Sequence, residues 1–564
     1  MNSIILAILS FFAYIIAYNT YGKFLSKKIF NLDNSTITPA HKYRDNKDFI
    51  PARPEILFGH HFTSIAGLGP IVGPAIAVIW GWLPAVLWVI FGSIFIGAIH
   101  DFGALVISMR AKGRSIGDIA GDLINPRVRT LFMIIIFFEL WIVIAVFALI
   151  IALLFDMYPG AVISIWAQIP LALWLGWMVY KRGKKPFWPS ILAVACLYLT
   201  IIIGSYIPVR MPQIGFLTPV MVWMVLLFII NSFITSTLPV HILLQPRDYI
   251  NAQQLVIILI LIFSGIFIGH PDIIAPVFVS HPAGAPSLWP FLYIIIACGA
   301  ISGFHSIVSS GTSAKQISHE KDAQAIGFGT MLTEGFLAIL VIVAVTAGIG
   351  MRYTTSGGTI LTGKAAFLTH YASWEAANGL SSKINAFIIG SSNLLNTFGI
   401  PLKIGFTIMG VFLVAFASTT LDTATRLQRY IVTEFSTANN IPFFKNMYAA
   451  TGLATLSAAG LAFYDGTGQG ALKLWPLFGT INQLMAALAL LLITVYFVRN
   501  KKPVLITLLP FLFMVVMTGW AMVINIGTYY DTKNWLLLII GLIVFILEIW
   551  MILESVIVLK NIKD

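Results

Sequence analysis

Residues 59–74 read GHHFTSIAGLGPIVGP, and this stretch decides how the chain is organised. It lies in an apolar segment, yet it holds several glycines and two prolines, Pro70 and Pro74. Because proline removes a backbone donor and glycine disfavours helix, a regular helix is not expected. Unwound backbone within a membrane is tolerated only where it is buried in protein or lines a cavity. The stretch predicts a membrane helix broken around Ala66–Pro70, as in secondary transporters; a glycine-rich helix-packing face is the alternative.

The composition of the whole chain is that of a polytopic membrane protein. Of its 564 residues 59% are hydrophobic and only 10% are charged, whereas soluble chains carry about 25% charged residues. This composition excludes a soluble protein and a disordered one. Continuous apolar runs argue against a β-barrel, whose strands alternate polar and apolar residues. The two cysteines, Cys196 and Cys298, predict neither a disulfide framework nor a cysteine-based metal site.

The hydropathy pattern predicts fifteen membrane spans, numbered here in chain order. The predicted spans are 3–19, 60–80, 83–109, 130–155, 160–180, 187–207, 217–243, 252–269, 289–312, 325–350, 402–423, 447–464, 474–498, 504–525 and 534–558. With the first loop assigned to the cytoplasm, alternating loops place 27 of the 34 Lys and Arg side chains inside and 7 outside. Cytoplasmic loops are enriched in these residues, so the N-terminus is predicted outside and the C-terminus inside. This distribution explains the net charge of +12, and nucleic acid is not an expected partner.

A hydroxyl-rich face is predicted near the cytoplasmic end of span 9. Ser306, Ser309 and Ser310 share one helical face because they lie three and four residues apart. Facing unwound backbone at Ala66 and Gly67, these hydroxyls would form a hard-oxygen site for Na⁺. The alternative is that the serines bond back to carbonyls of their own helix.

Span 7 also carries a polar run, from Asn231 to the internal Pro239. The run includes Ser236 and Thr237. It predicts either a second broken helix, with its polar residues facing the break of span 2, or a simple proline kink.

Ionisable side chains within spans are costly and are functional hypotheses by default. His100 and Asp101 are adjacent in span 3, and Asp101 and Glu139 are our candidates for a proton relay. Asp101 is alternatively a structural partner of a basic group. Asp422 lies four residues before Arg426, which predicts a structural pair on one helix.

These motifs together resemble the carbon starvation protein family of bacterial and archaeal inner-membrane transporters. The resemblance spans about residues 20–500 and rests on long motifs. The matching residues are Arg53-Pro54, 59–67 (GHHFTSIAG), 100–102 (HDF), Leu238-Pro239, 245–249 (QPRDY), 303–306 (GFHS), 309–312 (SSGT) and 421–426 (LDTATR).

The resemblance implies an all-α fold with an inverted repeat of five plus five helices, of the leucine-transporter type. Span 2 would be its first core helix, span 7 its sixth and span 9 its eighth. The chain would then divide into an N-terminal span with a basic cytoplasmic loop (1–59), a transporter core (60–425) and a C-terminal helical extension (426–564). The family is associated with uptake of peptides or pyruvate in carbon-starved cells.

The leading functional hypothesis is a secondary active transporter in a prokaryotic inner membrane that imports small carboxylate-bearing nutrients, pyruvate or short peptides. No cofactor is expected beyond a coupling ion, Na⁺ or H⁺. The sequence predicts no particular oligomeric state. The alternatives are a passive channel and an intramembrane metal-dependent enzyme. The enzyme would use His60, His61, His100 and Asp101 as ligands or acid–base groups.

Two sets of site residues are predicted. The histidines before the break and before the hydroxyl face, His60, His61 and His305, are expected to converge on one inward-facing vestibule, where at least one binds the substrate carboxylate or a proton. They alternatively only hold the unwound backbone in shape. The predicted substrate residues are His60, His61, Thr63, Ser64, Gly67, Gly69, Ser236, Thr237 and His305. The predicted cation-site residues are Ala66, Gly67, Ser306, Ser309 and Ser310.

Overall fold

A computed structural model describes residues 2–355 and 357–563, and this part of the chain is almost entirely helical. The α-helices, in chain order, are α1 Ser3–Ala17, α2 Pro39–Lys42, α3 Pro54–Ala66, α4 Gly69–Ala77, α5 Trp82–Gly92, α6 Ala98–Arg110, α7 Ile116–Leu123, α8 Pro126–Met157, α9 Ala161–Gly176, α10 Phe187–Tyr206, α11 Pro219–Leu227, α12 Leu244–Gly269, α13 Leu288–Ile295, α14 Gly303–Gly311, α15 Thr330–Thr346, α16 Gly363–His370, α17 Trp374–Asn378, α18 Leu380–Asn396, α19 Leu402–Ala438, α20 Met447–Phe463, α21 Trp475–Arg499, α22 Leu505–Asp531 and α23 Trp535–Lys563.

Short segments of other geometry join or extend these helices. The π-helical segments are Tyr18–Gly22, Leu25–Ile29, Ser93–Gly97, Trp177–Lys181, Phe228–Thr235 and Gln324–Gly329. The 3₁₀ segments are Val78–Trp80, Ser313–Lys315, Glu320–Asp322, Gly348–Met351, Phe443–Lys445 and Gly470–Lys473. Two short strands, Tyr353–Thr354 and Ile360–Leu361, pair antiparallel.

The predicted fold class, an all-α polytopic membrane protein, is confirmed. Among the described residues, eleven helical runs are long and apolar enough to cross a membrane, and α3 with α4 makes a twelfth, bent span. The remaining three of the fifteen predicted spans are the shorter apolar runs Pro219–Thr235 and Met447–Phe463 and the interrupted segment formed by α13 and α14. Each predicted span therefore has a helical counterpart.

Burial separates central from peripheral helices. In the runs that contain α15, α19 and α21, 89% of the most apolar window is buried, against 33% for those that contain α1, α10, α12 and α23. The first three helices form the centre of the bundle. The outer helices expose large aliphatic and aromatic side chains, which suits contact with lipid.

The break predicted in span 2 is confirmed. Helix α3 ends at Ala66, Gly67 has a φ of +47°, and α4 begins at Gly69 after a bend of 45°. Gly67 adopts a backbone conformation that disfavours a Cβ. Pro70 stands in the first turn of α4, where its missing N–H costs nothing.

A second broken span packs against the first, and it is span 9. Helix α13 ends at Ile295 and α14 begins at Gly303. The two breaks touch, because a Cβ built on Gly69 would collide with the side chain of Cys298. The broken partner of span 2 is therefore span 9, the span expected to be the eighth core helix, and not span 7, the span expected to be the sixth.

The predicted role of span 7 is therefore wrong. Its helix ends at Thr235, the chain turns, and α12 begins at Leu244. The hydroxyls of Ser236 and Thr237 donate to carbonyls of their own helix. The polar run ends a helix instead of breaking one, and the break of span 2 does not face it.

The predicted domain boundaries fall within helices. Residue 60 lies inside α3, and α19 continues unbroken past residue 425 to Ala438. The long α19 packs along α8 and also contacts α3, α9 and α20. Its residues from Thr407 to Val432 are buried in the centre of the molecule, on both sides of residue 425.

Candidate functional site

A cavity of about 820 Å³ reaches from one face of the bundle to the two breaks. Its floor includes residues 66–69 and Cys298. Its mouth is formed by residues of the segments 284–287, 374–383 and 472–476. All three segments lie in loops, short helices or the first turns of α18 and α21, on the side that the charge pattern places outside. The cavity therefore opens on the predicted external side, in contrast to the inward-facing vestibule expected from the sequence.

Two helices begin at the cavity floor. The first turns of α4, at Gly69, and of α14, at Gly303, both start where a span is broken. Ser302 and Phe304 beside the second of these line the cavity. The first amides of a helix have no partners within it and carry a partial positive charge. Converging helix N-termini make the floor suitable for an anion such as a carboxylate.

Asn482 of α21 adds a side-chain donor at this floor. Its Oδ1 accepts from Ser302 Oγ at 3.0 Å and from the backbone N–H of Phe304 at 2.9 Å. These two donors fix the orientation of the amide. Its Nδ2 has no hydrogen-bond partner among the described residues, although the side chain is almost fully buried and lines the cavity.

Lys383 of α18 is the one charged side chain among the described residues that line the cavity. It stands near the mouth, together with the other cavity-lining residues of α17 and α18. Burial lowers the pKa of Lys383 to about 8. The mouth is thus cationic at neutral pH, which favours entry of anions.

The carbonyl end of α3 meets hydroxyls from α19. Ser64 Oγ lies 3.2 Å from Thr423 Oγ1. An ideal Cβ on Gly67 would lie 2.8 Å from Thr420 Oγ1, so the two residues are in close contact. Gly67 and Thr420 both line the cavity. Hydroxyls and free carbonyls are ligands suited to a hard cation.

The hydroxyl face of span 9 does not meet these carbonyls as predicted. Ser306 Oγ donates to Gly303 O at 2.7 Å, and Ser310 Oγ donates to Ser306 O at 2.7 Å. Ser309 Oγ has no partner among the described residues. Because two of the three hydroxyls are held by their own helix, the alternative reading of this motif is the correct one for Ser306 and Ser310. The hydroxyls beside Ser64 and Gly67 come from α19 instead.

A fully buried chain of ionisable groups lies behind the floor. Asp101 is held between two imidazoles, with His100 Nδ1 at 2.7 Å and His305 Nδ1 at 2.9 Å. On its other side, His305 Nε2 lies 3.4 Å from Glu334 Oε2. Glu334 Oε1 accepts from the backbone N–H of Gly299, in the break of span 9, at 3.1 Å. The predicted pair His100–Asp101 is therefore part of a longer chain that ends at the cavity floor.

Glu139 of α8, the second predicted proton-relay residue, is also fully buried. Both of its carboxylate oxygens lack hydrogen-bond partners among the described residues. The structure does not join it by a hydrogen bond to the Asp101 chain, and its role remains a prediction.

His60 and His61 do not reach the cavity. His60 Nδ1 lies 2.6 Å from Asp248 Oδ2, and His61 Nδ1 lies 2.7 Å from Ser313 Oγ. Both imidazoles are fully buried in the half of span 2 before the break. Thr63 Oγ1 donates to Gly59 O of its own helix at 2.9 Å. None of the three histidines lines the cavity, so the predicted convergence of His60, His61 and His305 on one vestibule does not hold for this cavity. His60 and His61 instead both bond to the segment after α14, through Thr312 at 3.1 Å and Ser313 at 2.7 Å.

Ion pairs close the face opposite the cavity mouth. Arg247 pairs with Asp422, and Arg426 Nη1 lies 2.9 Å from Asp48 Oδ1. The predicted helix pair Asp422–Arg426 is wrong, because both residues pair with other elements. Burial alone would raise the pKa of Asp48, but the guanidiniums of Arg429 and Arg426 hold it well below its usual range. Asp48 therefore stays ionised, and this closure persists across physiological pH.

One group of side chains within the described residues has the spacing of metal ligands. Ligand atoms of Cys298, His305 and Glu334 all lie within 4.8 Å of one another. The set proposed for a metal-dependent enzyme is not gathered into such a group, because His60 and His61 have separate partners.

Three residues of the site were missed by sequence reasoning. Asn482 could have been found, because a polar residue inside a predicted membrane span is itself a sign of a functional site. Thr420 lies in a hydroxyl-rich part of span 11 whose aspartate drew attention instead. No sequence pattern marked Lys383 as a site residue, because its position on the cavity wall depends on how the external loop folds.

Comparison with known proteins gives the family. The profile of the family described as carbon starvation protein CstA matches residues 2–521. The chain is 32% identical to the peptide transporter CstA of Campylobacter jejuni, over 94% of this chain and 81% of the relative. It is 30% identical to the pyruvate/proton symporter BtsT of Escherichia coli, over 93% and 81%. A crystal structure of the Eremococcus coleocola manganese transporter, 13% identical, covers 92% of this chain and 99% of its own, with a TM-score of 0.47. The family match and the relatives together show that this chain belongs to the carbon starvation protein CstA family of membrane transporters.

Proposed function

We propose that the chain is a proton-coupled importer of small carboxylate-bearing nutrients, pyruvate or short peptides, and not an enzyme. The observation that carries the proposal is the cavity floor. There, two helix N-termini and the unpaired amide of Asn482 face a space that opens to the side predicted to be external. The proposal includes a position in a prokaryotic inner membrane with the N-terminus outside, an orientation supported by the distribution of Lys and Arg among the loops.

The floor supports recognition of a carboxylate without an arginine. Asn482 Nδ2 and the N–H of Gly69, at the start of α4, supply donors, and the start of α14 adds its partial positive charge, since its Phe304 N–H already donates to Asn482 Oδ1. Half-helix N-termini bind anionic substrate groups in other transporter folds. The cavity of about 820 Å³ lies in the range of small-molecule sites. It has room for a short peptide as well as for pyruvate.

Coupling to H⁺ is favoured over Na⁺ by two observations. The relative BtsT is named a pyruvate/proton symporter. The buried chain of Asp101, His305 and Glu334 gives titratable groups directly behind the floor. The hydroxyls of Thr420 and Thr423 beside Gly67 and Ser64 are ligands suited to Na⁺, so the test includes both ions.

Uptake into proteoliposomes tests the proposal. With an inward proton gradient, the wild-type protein is expected to accumulate labelled pyruvate above its external concentration. Dissipating the gradient is expected to release the accumulated pyruvate. Unlabelled di- and tripeptides are added as competitors, and Na⁺ is included or omitted. A passive channel would only equilibrate the label. Absence of uptake of pyruvate and of peptides under every gradient would contradict the proposal.

Asn482→Asp makes the test specific to the floor. The substitution replaces a donor by a carboxylate of the same size, which repels an anionic substrate. Loss of a hydrogen bond to a charged group corresponds to about 1.5–3 kcal/mol, so KM is expected to rise at least about tenfold. Asn525→Asp adds the same charge to the cavity wall, where Asn525 donates to Thr480 at 3.1 Å, and is expected to raise KM less.

A further inference from the structure

We propose that Glu334 and His305 together carry the coupled proton, and that Glu334 links this proton to the substrate site through the break of span 9. The proposal rests on the proposed function and names the coupling group within it. Glu334 is on α15, His305 on α14, and both are fully buried within the membrane-spanning part of the bundle.

The hydrogen-bond pattern requires a proton between these two side chains. Ionised Asp101 only accepts hydrogen bonds, so the Nδ1 atoms of His305 and His100, at 2.9 and 2.7 Å, each carry hydrogen toward it. In a neutral His305 the other nitrogen, Nε2, then has a bare lone pair. It faces Glu334 Oε2 at 3.4 Å, and neither atom has another hydrogen-bond partner among the described residues. Two buried acceptors facing each other are stable only with one proton shared between them.

The proton has two places within the pair. It forms the O–H bond of a neutral Glu334 carboxyl, with His305 neutral. Alternatively the O–H bond breaks, the N–H bond forms at Nε2, and an imidazolium lies between two carboxylates. Asp101 stabilises the second arrangement, which resembles the acid–imidazole relays found in other proteins. Removal of the proton leaves two carboxylates beside a neutral ring in a buried site, which is costly unless the site opens or rebinds H⁺.

The groups that face this pair come from several elements. Asp101 and His100 belong to α6, and Glu139 of α8 and His61 of α3 are close enough for their charges to interact with His305. Cys298 Sγ lies within 4.8 Å of the nearest ligand atoms of His305 and Glu334. None of these facing groups is a Lys or Arg, so positive charge in this cluster is carried by an imidazole, and His305 is the one that contacts both Asp101 and Glu334.

Glu334 also contacts the substrate side. Its Oε1 accepts from the N–H of Gly299 at 3.1 Å, and the adjacent Cys298 lines the cavity floor and packs on Gly69. A charged carboxylate accepts this bond more strongly than a neutral one. The protonation state of Glu334 therefore changes the strength of its hydrogen bond to the backbone of the span 9 break. The proton and the substrate thus both affect this broken segment.

Glu334→Gln separates this proposal from the proposed function. The amide keeps an oxygen for Gly299 N–H but does not titrate. We expect the variant to exchange external for internal pyruvate in counterflow at a rate near that of wild type, without dependence on pH. It should fail to accumulate pyruvate under a proton gradient and should no longer move H⁺ with substrate. If pyruvate is not transported, the same two assays are run with the transported peptide.

Glu548→Gln is the matched control. Glu548 is a nearly fully buried carboxylate on the peripheral α23, beside Thr518 and away from the cavity. This control is expected to accumulate substrate like wild type. Proton-driven accumulation retained by Glu334→Gln would overturn the inference while leaving the proposed function intact, whereas a wild type that transports nothing would overturn the proposed function itself.

If Glu334→Gln does not fold, infrared difference spectra of the wild-type protein test the inference. Binding of substrate is expected to change the carbonyl stretching band of a protonated carboxylic acid. Glu334→Asp, which keeps a titratable acid, should shift this band. Spectra without a carboxylic-acid change, or a stoichiometric divalent metal in the purified protein bound by Cys298, His305 and Glu334, would overturn the inference.

Discussion

At the residue scale, the proposed carboxylate site at the cavity floor has no charged side chain among the described residues that line it. Asn482 offers a fixed amide whose oxygen is held by Ser302 and Phe304. Lys383 supplies positive charge at the mouth instead of at the floor. Placing the cation at the entrance attracts an anion without holding it so tightly that release is slow.

Lys383→Gln is expected to weaken substrate capture. Since burial lowers the pKa of Lys383 to about 8, the side chain is cationic below that pH and becomes neutral as the external pH rises through it. In counterflow, which removes the proton driving force, KM of wild type should rise across this range. The variant should show a KM raised up to about fivefold at neutral pH, the upper limit for a partly solvated charge pair, and no further rise with pH.

The matched control is Lys364→Gln, because Lys364 is exposed in the same external region and does not line the cavity. It should behave like wild type. A Lys383→Gln variant whose KM equals that of wild type at every pH would show that the mouth charge has no role.

At the scale of the helix, the two breaks differ in how visible they are in the sequence. The break of span 2 is predicted by Gly67, Gly69 and Pro70, because each of them opposes regular helix. The break of span 9 has no proline between Ile295 and Gly303. Span 7 has both a polar run and a proline, but the prediction that it is the second broken span is wrong. The identity of the partner depends on packing between residues far apart in sequence, such as Gly69 against Cys298.

The same limit applies to the buried ionisable groups. Their positions inside spans mark His60, Asp101, His305 and Asp422 as functional or structural polar residues. Sequence spacing could pair only neighbours, so it found His100–Asp101 and wrongly joined Asp422 to Arg426. The pairs His305–Glu334 and Arg247–Asp422 join separate helices and required the structure.

Gly67→Ala tests the break of span 2. With a φ of +47° this position disfavours a Cβ, and the new atom would also press on Thr420 and Phe147. Such strain costs about 1–3 kcal/mol, so the transport rate is expected to fall by about 5- to 150-fold as the floor shifts. The initial uptake rate and the melting temperature of the purified protein measure the effect.

Gly460→Ala is the control for this substitution. Gly460 lies inside α20 with no atom within 4 Å of the added Cβ, and alanine favours helix there. Transport should be unchanged. If Gly67→Ala also kept the rate and the melting temperature of wild type, the break would not be under the constraint described here.

At the scale of the whole molecule, the structure is open on one face and closed on the other. The mouth segments 284–287, 374–383 and 472–476 leave a path to the floor. Ion pairs of Arg247 with Asp422 and of Arg426 with Asp48 close the opposite face. In the orientation predicted from the Lys and Arg distribution, this is the outward-facing arrangement that the proposed importer requires for alternating access.

The central claim is that substrate binds where the two breaks meet, at the floor of a cavity open to the outside. Labelling of Cys298 tests it most directly, since the sequence holds only two cysteines and Cys196 is replaced by serine for the measurement. Cys298 lines the floor. A membrane-impermeant thiol reagent added outside is expected to modify Cys298, and pyruvate or a transported peptide should slow the reaction in proportion to its occupancy. Labelling from the inside only, or labelling from outside at a rate that no transported substrate changes, would contradict the account.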